Sequence, residues 1–496
     1  MIPAFYDNCE IFVTGGTGAL GKSLLEKLLR SCNVDRIYIL LRSKGTLNLE
    51  QRLQKLCNAK IFRVLKSTKP DALNKLVPIA GDAMKKGLDI SEDDVKLMEN
   101  VSVVFHCAAT VRFDEELTTS LRLNVAGTLE VLKLAESFKN LKLFMHVSTF
   151  FSNPYLNYVE PKVYTSPLSW RTCLKLLENN NSSEELSYIT KKVITGFPNT
   201  YTFTKNIAES LVDEWRYRLP IAIFRPSVVL ASIEEPEPGF PPSLMGAIGL
   251  FVISGAGILN CISMAKNERL DMTALDNCTK TMLYYGVKAS EIYKTSVPDT
   301  TPVYATSSSK HLPYAFSAFL EVVNDFGLQT CVYEKQFMLP HLSVIDNRLE
   351  YRILVILKQV VPAFLGDGLL RLFGYKPALL SAIRKAYVTL EVLQPFVFNT
   401  WDSPGVTDYE QMVEDTKGTE FDVSNNTIVA YDVENLRIMM IRLMYKAREV
   451  LLNEDISTLP RSRKILKIKR FIYDLLCFYL FVYIFRKVYQ IIFNYV

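Results

Sequence analysis

The stretch "EIFVTGGTGALGKSLLEKLLR", Glu10 to Arg30, opens with a short apolar run, passes through four glycines and continues with leucines at helical spacing. It predicts a buried strand, a tight turn and an amphipathic helix. Gly15, Gly18 and Gly21 form G-x-x-G-x-x-G at that first strand-to-helix junction. Glycine there permits the turn, and the missing Cβ atoms let the backbone approach a pyrophosphate at the positive end of the helix dipole. The bare alternative is a turn with no ligand.

Working outward, "RIYILLRSK", "NKLVPIAGD", "VSVVFHCAAT", "LKLFMHVST" and "IAIFRPSVVL" read as five further strands with helical text between them. Strands alternating with helices predict an α/β fold, a Rossmann-like doubly wound parallel sheet covered on both faces. A cofactor with a free ribose 2′-hydroxyl favours Asp or Glu at the end of the second strand, whereas Arg42 and Lys44 stand there. Cations suit a 2′-phosphate, so NADP is expected over NAD, unless Arg42 is simply solvated. Asp82, after the third strand, faces the adenine side or serves as a turn residue.

The length of 496 residues implies more than one globular unit. Hydrophobic residues at 49% and charged residues at 22% argue against extensive disorder. A net charge of +5 without a long basic stripe before residue 450 argues against nucleic acid as a partner. Nine cysteines, scattered without a C-x-x-C pair or zinc spacing, predict a reduced chain with no structural metal. The N-terminal "MIPAFYDNCEIFVTGG" lacks a basic region followed by an apolar core and small-residue cleavage site, so no secretory signal is expected.

"PNTYTFTKNIAES", Pro198 to Ser210, carries Tyr201 and Lys205 four residues apart, on one face of a helix with a capping residue before it. A lysine beside a phenol is expected to lower its pKa toward useful proton transfer. Taken alone, such a pair is more often structural. The glycine turn upstream and the hydroxyl-bearing strand end "HVSTFF" between the two shift the reading to a catalytic one.

The glycine turn, "VFHCAATVRFDE", "HVST", "PNTYTFTKNIAES" and "IFRPSVV" stand in the order of the extended short-chain dehydrogenase/reductase superfamily, and the wording resembles its fatty acyl-CoA reductase family. The resemblance implies NADPH and a Ser/Thr-Tyr-Lys set: Tyr201, Lys205 and Thr149, with Ser148 as the alternative hydroxyl. Asn124 in "LRLNVAGTLE" matches an asparagine that organises a proton relay, or else caps a helix. The cofactor-binding set it implies is Gly15, Thr17, Gly18, Gly21, Arg42, Lys44, Asp82, Ala108, Lys205 and Pro226. The implied activity is reduction of long-chain fatty acyl-CoA to a primary alcohol through an aldehyde. The rivals are a membrane-bound hydroxysteroid-type dehydrogenase and an inactive NADPH- and lipid-binding relative.

The likeness continues through "DMTALD", Asp271 to Asp276, where the family usually has proline at Ala274, and through "PAFLGDGLLRLFG" and "YKAREVLLNED". It implies domains at 1–270 (NADP-binding, with substrate-binding segments from 230), 271–350 (remaining substrate region and linker) and 351–455 (mostly α-helical), then a tail at 456–496. One departure is Leu244 to Met264, "LMGAIGLFVISGAGILNCISM", uncharged where the family carries Lys and Arg. It is expected to be buried or to skim a membrane rather than span one. In the tail, "RSRKILKIKR" precedes eleven apolar residues, Leu475 to Phe485, ahead of Arg486 and Lys487. That run covers roughly 16 Å of a ~30 Å hydrocarbon core. Interfacial tyrosines and the basic run favour contact with membrane lipid, shallow or with snorkelling cations, over a helix packed on the body. A cytosol-facing site at an ER or peroxisomal membrane is expected, although "FNYV" is neither an S-K-L nor an ER-retention signal.

Overall fold

The structure, a computed structural model, describes residues 1–42, 47–178, 183–264, 269, 271–308, 320, 323–324, 330–425 and 433–494. Seven parallel strands form the main sheet: β1 Glu10–Thr14, β2 Arg36–Leu41, β3 Leu76–Ala80, β4 Val103–His106, β5 Leu143–Val147, β6 Ile221–Arg225 and β7 Val303–Ala305. Their order is β7-β6-β5-β4-β1-β2-β3, so the winding reverses beside β1, where the crevice of a doubly wound sheet opens at the carboxyl ends. Helices cover both faces, which is why strands such as "RIYILL" read as continuous apolar runs rather than alternating ones. The helix Ala19–Ser31 buries Leu24, Leu25, Leu28 and Leu29.

All six strands expected from the sequence form, with one of them divided. After Arg225 the chain leaves the main sheet at Pro226, which has no N–H to donate. Val228–Leu230 pairs instead with Met272–Ala274 in a separate two-stranded sheet. The seventh strand, β7, is three residues long and has no periodicity to announce it. It exists because its backbone pairs with β6, Val303 to Ile223 and Ala305 to Arg225, and because Tyr304 stacks on Tyr285 at 4.2 Å between centroids.

The chain forms two compact units that alternate along the sequence rather than following end to end. The first comprises Met1–Pro242, Glu268–Ala315 and Val392–Leu436 and contains the main sheet. The second comprises Ser243–Asn267, Phe316–Glu391 and Arg437–Val496. A boundary near 270 followed by contiguous segments therefore does not describe the molecule, because 268–315 returns to supply β7 and 392–436 returns again.

In the second unit the uncharged segment Leu244 to Met264 is a core element. Its helix spans only Gly246–Gly255 and buries Ile248, Phe251 and Val252. Gly257 then turns the chain at φ +69°, with no space for a Cβ against the backbone of Met338, and Cys261–Ser263 pairs with Ser343–Ile345. Nearby, Arg448 is fully buried, donating to the Val332 carbonyl and pairing with Glu454 at 3.5 Å.

Two long helices of this unit are exposed. Leu459–Asn494 runs 36 residues and leaves Phe471, Phe478 and Phe485 open rather than packed. Among the described residues one helix, Arg348–Leu372, is long and apolar enough to cross a membrane by length and composition.

Gly255 lies where a Cβ would come within 2.7 Å of the Tyr333 ring and 2.9 Å of the Met444 methyl. Gly255→Val is expected to overpack this core and cost about 1–3 kcal/mol, read as a lower urea midpoint. Unchanged stability would show that the segment is not core.

Candidate active site

The glycine turn sits where β1 meets β4. Gly15 adopts φ +73°, and a Cβ there would lie 2.6 Å from Ala108 N and from the Cys107 carbonyl carbon. At Gly21 a Cβ would lie 2.3 Å from the Gly15 oxygen. Gly18 caps the helix Ala19–Ser31 without a side-chain acceptor, and Thr17 and Gly18 are exposed at its mouth. This cradle fits a pyrophosphate: the backbone is bare, and the first helical N–H groups point outward.

At the far end of that crevice Arg42 is half-exposed and lies 4.0 Å from Asp82. Asp82 also accepts the Met84 N–H at 3.0 Å, so it holds its turn as well. Lys44 lies outside the described residues. Arg52, missed from sequence, donates to the Arg42 carbonyl at 2.9 Å and brings a second guanidinium to the end of β2. The signal was available, since the helix Leu49–Cys57 opens with an Asn48–Gln51 capping box directly after that strand.

Beneath the turn runs a buried chain of hydrogen bonds. Ala108 N–H donates to Thr14 Oγ1 at 3.2 Å, Thr14 meets His106 Nδ1 at 2.7 Å, and His106 Nε2 meets Thr128 Oγ1 at 2.9 Å. Thr128 in turn donates to the Asn124 carbonyl at 2.7 Å. With its proton so committed, Thr128 must accept from His106, which places the imidazole hydrogen on Nε2. Burial, aided by Lys205, pushes His106 down to about 3, so the ring is neutral.

Asn124 lies in a π-helical turn, Arg122–Ala126. Its side chain accepts from Thr110 N at 2.9 Å and donates to Thr204 Oγ1 at 2.9 Å, tying it to the helix that carries Tyr201. That helix, Thr200–Glu214, starts at Asn199, whose side chain accepts from Thr202 N.

Tyr201, Lys205 and Glu209 recur every four residues along one face. Lys205 Nζ donates to the Val147 carbonyl at 2.6 Å, at the end of β5. Burial draws its pKa down to about 8, opposed by Glu209 and then Cys107. Tyr201 behaves differently from expectation. Burial pushes the phenol up to about 12, and the opposing influence is a hydrogen bond with Thr149, not the lysine charge. The ammonium is committed to Val147, so desolvation dominates, and the phenol keeps its proton throughout the neutral range.

The two candidate hydroxyls point to different partners. Thr149 meets Tyr201 and accepts the Phe151 N–H at 3.3 Å. Ser148 donates to Glu209 at 2.5 Å. Glu209 is itself paired with Arg225 at 2.6 and 2.9 Å, both side chains being buried. Arg225 further donates to the carbonyls of Glu160 and Lys162. Pro226 accepts the Phe150 N–H at 3.0 Å, holding the strand end beside the site.

An aromatic wall adjoins Tyr201. Phe113 lies 5.6 Å from its ring and stacks on Phe396 at 5.3 Å, while Phe151 packs edge-on against Phe396 and Trp401 at 5.1 and 5.4 Å. Trp401 Nε1 donates to the Pro154 carbonyl at 3.0 Å, which spares its apolar face for packing. Glu209 was legible from its spacing after Lys205. Phe396 and Trp401 were not, because they come from a part of the sequence with no local mark of the site.

A family model for NAD-binding domains, described as "Male sterility protein", matches residues 13–282. The chain is 33% identical to fatty acyl-CoA reductase 1 of Xenopus laevis, over 93% of this chain and 88% of that one. It is 31% identical to fatty acyl-CoA reductase wat of Drosophila melanogaster, over 93% and 87%, and 32% identical to fatty acyl-CoA reductase 2 of Mus musculus, over 98% and 93%. Among solved structures, the terminal R domain of the myxalamid PKS-NRPS pathway is similar at TM-score 0.55 and 19% identity, covering 89% of this chain and 90% of that one. The reductase domain of a non-ribosomal peptide synthetase from Mycobacterium tuberculosis gives TM-score 0.55 at 16% identity, covering 90% and 92%. These last two share the fold.

Glu209→Gln would leave the Arg225 charge buried without its counterion. The expected loss is about 3–5 kcal/mol of stability, measured by denaturant unfolding; a loss well below that would mean the pair is not the brace of this site.

Proposed function

The chain belongs to the fatty acyl-CoA reductase family, and on that premise we propose that it reduces long-chain fatty acyl-CoA to a primary fatty alcohol with NADPH. The observation that carries the reading is the aromatic wall beside the Tyr201–Thr149 hydroxyl pair. An alkyl chain would lie against Phe113, Phe396 and Trp401, leaving its carbonyl at the two hydroxyls.

Gly15, Thr17, Gly18 and Gly21 would hold the pyrophosphate, with Ala108, Pro226 and Lys205 nearer the reacting end and Arg42, Lys44 and Asp82 at the adenosine. When bound, NADPH supplies the hydride. Tyr201 and Thr149 donate to the carbonyl oxygen of the thioester as it gains negative charge. Loss of CoA thiol leaves an aldehyde, and in its reduction Tyr201 gives up its proton as general acid. A phenol held protonated by burial suits that task. Lys205 positions the ribose, and Asn124 keeps the Tyr201 helix in register through Thr204.

We also place the protein at a membrane, ER or peroxisomal, with the site facing the cytosol. The exposed helix Leu459–Asn494, basic over its first turns and apolar from Leu475 to Phe485, supports contact with a membrane.

Incubation with long-chain acyl-CoA should consume two NADPH per alcohol formed. Tyr201→Phe is expected to cut turnover by about 10²–10⁴-fold; full turnover by that variant sinks the assignment, and oxidation of a steroid alcohol without acyl-CoA reduction points to a hydroxysteroid-type enzyme.

If the charged lysine holds the ribose, kcat/KM for NADPH should fall as pH rises through about 8, where Lys205 loses its proton. Lys205→Arg, which stays charged, should flatten that limb. A profile that is level across this range removes the lysine from the mechanism.

A further inference from the structure

Arg348–Leu372, in the second unit, has two unlike faces. One is fastened by residues four apart: Gln359, Ala363 and Asp367 are all buried. Gln359 donates to Cys261 Sγ at 2.7 Å. Asp367 accepts the N–H groups of Ala378, Leu379 and Leu380 at 2.9, 2.9 and 3.0 Å, capping the helix that follows.

The opposite face carries Leu357, Phe364, Leu365, Leu369, Leu372 and Phe373, each between 57% and 77% exposed. Their spacing is that of a single helical stripe. Around it stand five exposed cations, Arg348, Arg352, Lys358, Arg371 and Lys376, against two exposed carboxylates, Asp346 and Glu350. So wide an apolar surface, left open and rimmed by positive charge, matches the boundary between acyl chains and anionic headgroups.

We propose that this helix is an in-plane membrane contact: its leucine and phenylalanine stripe enters the outer acyl region of an anionic phospholipid bilayer while the flanking Arg and Lys side chains meet the headgroups. Length alone would let the helix span. Spanning, however, would expose the Gln359–Asp367 face to lipid and strip Asp367 from the helix end it caps, stranding a carboxylate in hydrocarbon. The helix therefore lies flat, fastened to its unit on one side. This contact shares with the proposed function the premise of a membrane-bound enzyme, but it is carried by a helix separate from the C-terminal tail.

The full-length chain is reconstituted into phosphatidylcholine vesicles with and without phosphatidylserine, with the photo-cross-linker p-benzoylphenylalanine in place of Phe364, Leu369, Phe478 in the tail, or Tyr217 as an exposed control on the first unit. Lipid adducts are expected at 364 and 369, stronger with phosphatidylserine, and none at 217. The double variant Phe364→Glu/Leu365→Glu, with the probe moved to 369, should lose the adduct there while reducing detergent-solubilised acyl-CoA at the unaltered rate. Adducts at 478 without any at 364 and 369 would overturn the proposal and leave the tail reading standing, and adducts at 364 without any at 478 would do the reverse. Cross-linking of 364 to a second copy of the chain would also overturn it, assigning the face to self-association. Absence of acyl-CoA reduction together with lipid adducts at 364 would refute the catalytic reading alone.

Discussion

No side chain fits between Gly15 and the Cys107–Ala108 peptide, and the site is arranged around that contact. It brings the turn after β1 against the end of β4 at the point where the sheet reverses. The bare backbone this requires is the same bare backbone a pyrophosphate needs. From the contact the order extends inward, through Ala108, Thr14, His106 and Thr128 to the backbone of Asn124. Asn124 then grips Thr204, one residue before the lysine. A packing constraint at a turn is thus connected, bond by bond, to the helix that carries Tyr201 and Lys205.

Within the site, desolvation governs the ionisable groups more than their mutual charges do. Tyr201 and Lys205 are moved in opposite directions by the same burial, the phenol up and the amine down, each toward its neutral form. Two contacts temper this: Thr149 on the tyrosine and Glu209 on the lysine. Glu209 can serve because Arg225 neutralises it, and the pair also takes Ser148 out of contention as the hydroxyl beside Tyr201. A buried ion pair of this kind contributes little net stability, yet losing either partner is costly. It therefore acts as a brace for the strand end and the helix together.

Apolar text has three different fates in this chain. Leu244 to Met264, which in sequence suits either a buried element or one skimming a membrane, becomes core, because Tyr333 and Met444 close over Gly255. Arg348–Leu372 is half fastened and half open. The last helix, Leu459–Asn494, is open over its aromatic run. All three carry long apolar runs in sequence; whether such a run is covered depends on another element of the unit, and that depends on contacts distant in sequence.

Local pattern alone determined the six strands, their parallel arrangement, the cradle at Gly15 to Gly21 and the shared face of Tyr201 and Lys205. Each follows from spacing within a few residues, where backbone geometry leaves few options. Tertiary structure decided that β7 exists, that Pro226 sends Val228–Leu230 to another sheet, and that two units alternate along the chain. It also decided that Thr149 rather than Ser148 meets the tyrosine, that burial outweighs the lysine charge, and that Phe396 and Trp401 line the site. The reason is the same in each case: which group loses water and which partner replaces it depends on residues brought together across long stretches of chain, and no local spacing encodes that.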